Sequence, residues 1–190
     1  MGIKATIFDR LIHYLTVLTV VLCGCVPALT PKELEERYGL QSPAILKYGA
    51  VDRLRSGQTW RVFVAAEDPD GDMDAVVFRV YQPGTGWYPA HFKKLREAGS
   101  RSFSGYFFLN TPGFWTYDMW GLRLTLTFEI RDKAGHRSDV ITLPLQFVGK
   151  KIKQPVPEGF TEEDVRSLGP IMIEFVREDN GGDNQVNTGS

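Results

Sequence analysis

Leu122-Arg-Leu-Thr-Leu-Thr-Phe-Glu-Ile-Arg131 decides the fold. Leu122, Leu124, Leu126, Phe128 and Ile130 share one parity, and Arg123, Thr125, Thr127, Glu129 and Arg131 share the other. Successive side chains of an extended chain point to opposite faces, so this stretch reads as a strand with one dry face and one wet face. Downstream, Ile141, Leu143, Leu145 and Phe147 repeat the pattern after a turn at Asp132-Lys-Ala-Gly-His136. Upstream, Gln58 to Glu67 carries Trp60, Val62, Val64 and Ala66 on one parity, with Arg61 and Phe63 between them. Ala75 to Tyr81 alternates Val76, Phe78 and Val80 against Arg79, and Phe103, Phe107 and Leu109 share a parity. Several strands with tight turns and few helices imply an all-β, two-layer sandwich.

The alternation occupies residues 44–148, and the flanks read differently. Residues 25–43 form a tether with one short helix: Thr30 caps, Pro31 takes the first helical position, Glu33 completes a capping box, and Gly39 ends the helix after Tyr38. Within residues 149–176, Gly149 to Pro157 is a basic, proline-containing linker. A short helix starts at Thr161-Glu-Glu-Asp164 and is expected to stop at Gly169-Pro170. Ile171, Ile173 and Phe175 then alternate with Met172 and Glu174, as in a short added strand. Residues 177–190, rich in Asn, Gly and Asp, read as a disordered tail.

Two stretches of turn chemistry carry a resemblance. Ser56-Gly57-Gln58-Thr59 precedes a strand that ends Ala66-Glu-Asp-Pro-Asp-Gly-Asp72, and the final hairpin reads Asp132-Lys-Ala-Gly-His-Arg-Ser138. The second is similar to the D-x-A-G-N-x-S turn of bacterial immunoglobulin-like and cadherin-like domains, with His136 in place of the usual Asn. The resemblance covers residues 44–148 and implies an immunoglobulin-like antiparallel β-sandwich with short flanking helices. It implies fold and leaves function open.

The first 24 residues read as an address. Lys4, Arg10 and Asp9 with the amino terminus give a positive start, followed by the apolar run Tyr14 to Gly24. As a helix those residues span roughly 17 Å, against the ~30 Å of a bilayer core, which suits a secretion signal. Leu22-Cys23-Gly24-Cys25 resembles the lipobox of bacterial lipoproteins, with Cys23 a departure from the Ala, Ser or Thr usual at that position. The resemblance implies a diacylglyceryl thioether on Cys25, cleavage before it, and acylation of the new amino terminus. Val26, where Gram-negative family members retained in the inner membrane carry Asp, implies outer-membrane sorting. The competing readings are an ordinary cleaved signal and an uncleaved anchor from Leu11 to Leu29, which would enclose His13, two threonines and Pro27.

Charge narrows the partners. The chain holds 22 basic and 23 acidic residues, a net charge of −1, so no broad basic field is present to hold nucleic acid. Both cysteines, Cys23 and Cys25, lie within the first 25 residues, leaving the remainder without a disulfide framework, a cysteine metal site or a cysteine nucleophile. No nucleophile elbow and no phosphate-cradling loop is present, so the chain reads as non-catalytic. Asp68, Asp70, Asp72 and Asp74 place four carboxylates in seven residues. Hard cations take clustered oxygens, and acidic loops of cadherin-like domains bind Ca²⁺, although the same residues also make an ordinary β-turn. Phe114, Trp115, Tyr117 and Trp120 stand in an apparent loop, where they either close one end of the sandwich or contact a sugar or a protein. His91 and His136 read as turn or surface residues. The expected function is a lipid-anchored envelope module binding a protein partner, with a carbohydrate-binding module as the alternative.

Overall fold

The computed structural model describes residues 28–96, 100–111, 113 and 121–175. One helix opens it, α1 (Pro31–Tyr38), followed by ten strands: β1 (Ala44–Gly49), β2 (Arg53–Leu54), β3 (Thr59–Glu67), β4 (Met73–Gln82), β5 (Gly86–Trp87), β6 (His91–Lys94), β7 (Ser102–Asn110), β8 (Arg123–Asp132), β9 (Ile141–Phe147) and β10 (Ser167–Pro170). A three-residue 3₁₀ turn, Glu162–Asp164, precedes β10. The strand built on Leu122–Arg131 is β8, displaced by one residue from the span its alternation suggests.

Two sheets form the sandwich. One has the order β1-β3-β7-β10, and the other runs β2-β9-β8-β4, with β5 and β6 both pairing β4. The central ladders β1–β3, β3–β7, β4–β8 and β8–β9 are antiparallel. The added edges β10–β7 and β2–β9 are parallel. The chain is therefore an all-β, immunoglobulin-like antiparallel sandwich with short flanking helices and two parallel edge additions.

The dry parities meet in the middle. Trp60, Val62 and Val64 of β3, Phe78 and Val80 of β4, Phe107 of β7 and Leu126 of β8 are fully buried. Phe78 lies edge-on to Phe107, with ring centroids 5.0 Å apart, and touches Phe128 at 5.9 Å. The one polar atom that Trp60 takes into this core, Nε1, donates to the Val51 carbonyl at 2.8 Å, as a buried indole requires. Phe63 has the opposite parity yet is buried, because Tyr106 and Phe160 cover it on the outer side, each at 5.5 Å.

The flanks show where local pattern and packing part company. The α1 capping box forms as the sequence implies, with Glu33 N–H donating to Thr30 Oγ1 and Thr30 N–H donating to Glu33 Oε2. Residues 171–175 alternate but make no strand; the added strand is Ser167–Pro170, and the 3₁₀ turn ends before Gly169-Pro170. Gly105 of β7 explains this displacement: a Cβ there would lie 2.6 Å from the Arg166 carbonyl, so the chain can approach β7 closely at that point. Ile171 then seals the core, its N–H donating to the Phe108 carbonyl at 2.7 Å. No described helix is long and apolar enough to cross a membrane.

Candidate metal centre

Asp68 follows β3, Asp72 precedes β4, and Asp132 ends β8. Antiparallel pairing sets Met73 of β4 opposite Asp132 of β8, so two loops distant in sequence meet at one end of the sandwich. Each of the three aspartates is at least nine-tenths buried, and each offers a carboxylate oxygen, the three lying within 4.8 Å of one another. Among the described residues no other trio of His, Cys, Asp or Glu side chains converges in this way.

Each aspartate spends one oxygen on backbone N–H groups, Asp68 and Asp132 on their own loops and Asp72 on the loop across from it. Asp68 Oδ1 accepts the N–H groups of Asp70 and Gly71 at 2.9 and 3.4 Å. Asp72 Oδ2 accepts those of Lys133 and Ala134 at 3.2 and 3.3 Å. Asp132 Oδ1 accepts those of Gly135 and His136, both at 2.7 Å, which is the Asx geometry that shapes such turns. The second oxygens are left. Asp132 Oδ2 meets His136 Nδ1 at 2.9 Å, whereas Asp68 Oδ2 and Asp72 Oδ1 are buried without a protein partner. A buried acceptor left unpaired costs about 1–3 kcal/mol, and more when charged.

Electrostatics follows from this crowding. Burial, then the Asp132 carboxylate and the contact with Asp68, push Asp72 up to about 6. His136 loses hydration, which lowers its pKa, but the Asp132 hydrogen bond and charge outweigh that loss; with Glu35 added, the net direction is upward. Glu35 belongs to α1 and lies 3.6 Å from His136 Nε2.

The four acidic residues adjacent in sequence separate in space. Asp68 and Asp72 join the centre. Asp70 turns to the segment that follows α1, where its Oδ2 accepts the Gln41 N–H at 2.7 Å. Asp74 pairs with Lys94 at 3.2 Å. Asp132 takes their place, a residue whose sequence signal was that of a turn. His136 lies beside the centre and orients Asp132, while His91 is half-buried on β6; its imidazole is pushed down by burial and then by Lys93. Cys25, Phe114, Trp115, Tyr117 and Trp120 lie outside the described residues.

The donor set is oxygen only, which suits a hard cation rather than a thiophilic one. Two oxygens that share a Ca²⁺ at about 2.4 Å stand at most about 4.8 Å apart, and the three carboxylates meet that limit. The oxygens of Asp68 and Asp72 that accept no hydrogen bond are available to such an ion, whereas Asp132 would share Oδ2 with His136.

No family model and no curated protein matches the chain. Among solved structures, it is similar to the CARDB domain of a protein from Pyrococcus furiosus, crystallised in complex with di-metal ions. The two are 15% identical, the match covers 58% of this chain and 94% of that one, and the TM-score is 0.31.

Proposed function

We propose that this chain is a non-catalytic module of the cell envelope, held to a membrane by acyl groups on Cys25. A Ca²⁺ ion on Asp68, Asp72 and Asp132 fixes the two loops at one end of its sandwich. The observation that carries the cation reading is a pair of buried carboxylate oxygens that accept no hydrogen bond, in a trio whose carboxylates converge within 4.8 Å. Three carboxylates in near-dry surroundings repel one another, and a divalent ion removes both the repulsion and the unpaired acceptors. His136 remains a positioning group on Asp132.

Calcium is expected to raise the melting temperature of the mature chain, and a chelator to lower it. At ten times its Kd, one bound ion adds about 1.4 kcal/mol. Asp72→Asn should abolish the response, whereas Asp74→Asn, outside the centre, should retain it. A melting temperature indifferent to calcium in the parent protein would rule the ion out.

The lipid anchor is supported by Leu22-Cys23-Gly24-Cys25, and Val26, in place of the Asp of inner-membrane members, supports outer-membrane sorting if the host is Gram-negative. Multiple acyl chains give stable anchoring, at about 0.8 kcal/mol per buried CH₂. Cys25→Ser should move the protein from the membrane fraction to the soluble one; an unchanged distribution would argue against lipidation. The role in holding an envelope protein is supported by apolar surface left on the β4 edge: Trp87 is 59% exposed beside Tyr81, and Phe92 is 57% exposed beneath Arg131. Such aromatic groups are enriched at protein interfaces.

A further inference from the structure

A second concave surface lies at the other end of β3 from the acid centre. It is a cleft of about 720 Å³ whose walls include Arg55, Arg61, Lys151, Tyr106, Phe108 and Asn110, with no carboxylate among the described residues that line it. The chain as a whole carries a net charge of −1, so three cations on one cleft with no acid among the described lining residues are a local departure.

The cleft is held open by two glutamines. β1 pairs β3 only from Phe63 to Glu67, which leaves the edge at Thr59 and Arg61 without a strand. Gln154 fills that edge with its amide: Oε1 accepts the Arg61 N–H at 2.9 Å and Nε2 donates to the Thr59 carbonyl at 2.8 Å. Gln58 fixes the same wall, donating to the Ile152 carbonyl and accepting the Ile152 N–H, both at 2.9 Å. Lys151 is thereby carried by a fixed segment. Arg61 is fixed as well. Its guanidinium donates to the Gln154 carbonyl and lies over the Phe63 and Tyr106 rings, at 5.9 and 5.7 Å from their centroids. Its remaining N–H groups keep the planar fork that suits a carboxylate or phosphate. Such prior ordering lowers the entropic cost of binding.

We infer that this cleft binds an anionic saccharide, a sugar chain bearing carboxylate or phosphate groups. Tyr106 and Phe108, both half-buried, offer the apolar floor on which a pyranose face rests. Arg61, Arg55 and Lys151 receive the charge, and the exposed amide of Asn110 meets hydroxyls. An extended acidic peptide is disfavoured because the β3 edge it would join as an added strand is already occupied by Gln154. The inference is independent of calcium, since none of the three aspartates lines the cleft.

Calorimetric titration of the mature chain with an oligogalacturonate, glucose 6-phosphate, maltohexaose, polyglutamate and inorganic phosphate tests it. An acidic sugar should bind with an affinity that falls as salt rises, at least tenfold more tightly than maltohexaose; which acidic sugar does so distinguishes carboxylate from phosphate. Arg55 and Lys151 are exposed, so the double variant Arg55→Ala/Lys151→Ala should melt like the parent and lose roughly tenfold or more in affinity. Arg61→Lys keeps the charge but not the fork, and should weaken binding in the same direction. No binding of either acidic sugar, or binding undiminished in the double variant, would overturn the inference. Polyglutamate or inorganic phosphate binding as tightly as the acidic sugars would also overturn it, by reducing the cleft to a site for charge alone.

Discussion

Phe78→Ala is expected to remove about 3–5 kcal/mol of stability, the range seen when a fully buried aromatic ring is cut back to a methyl group. Phe78 has no exposed surface and stands where the two sheets meet, against Phe107 from one and Phe128 from its own. Both neighbours sit on hydrogen-bonded strands and cannot close over the void without breaking register. A domain of this kind is stable by about 5–15 kcal/mol, so one side chain accounts for a third or more of a typical margin. The melting temperature should fall by roughly 6–20 °C. Phe78→Leu, which keeps most of the volume, should cost clearly less. Denaturant titration checks both, and a loss below about 1 kcal/mol for the alanine variant would contradict the assignment of these rings to the core.

The cation-free protein should become less stable as pH rises from about 4.5 to 7.5. Asp72 holds its proton to about 6 in the folded chain, above its ordinary value of 3.8. The folded state therefore binds this proton more tightly than the unfolded state does. The resulting stabilisation is full below about 3.8 and is lost as pH passes through about 6, up to about 3 kcal/mol in all, with about 2 of it above pH 4.5. His136, raised by Asp132 and Glu35, acts with the same sign at higher pH. Denaturation midpoints measured with a chelator should fall across this window; Asp72→Asn should flatten the fall, and saturating calcium should cancel it by favouring the ionised form. A midpoint that rises across the same window would contradict the burial argument.

What could be read from the sequence was what depends on neighbours along the chain. The strands around Trp60, Phe78, Phe128 and Phe147 declare themselves by parity, and the Thr30–Glu33 cap by spacing. The added strand was misplaced because alternation at Ile171, Ile173 and Phe175 reports burial alone; a ladder also needs a partner edge, and β7 admits one where Gly105 leaves room. The acid centre was half visible. Asp68 and Asp72 are neighbours in the chain, but Asp132 reaches them through the β4–β8 register, and Asp70 and Asp74 are turned away by Gln41 and Lys94. The Gln58 and Gln154 braces cross more than 90 positions, and no local pattern marks them.

The helix α1 touches both loops of the acid end. Glu35 approaches His136, the Tyr38 ring lies beneath Lys133, and Gly39 fits against Asp70 where any Cβ would collide. Only five residues lie between Cys25 and Pro31, a leash of at most ~20 Å even when fully drawn out. If Cys25 is acylated as proposed, the acid end, to which α1 is docked, would stay within that reach of the membrane surface.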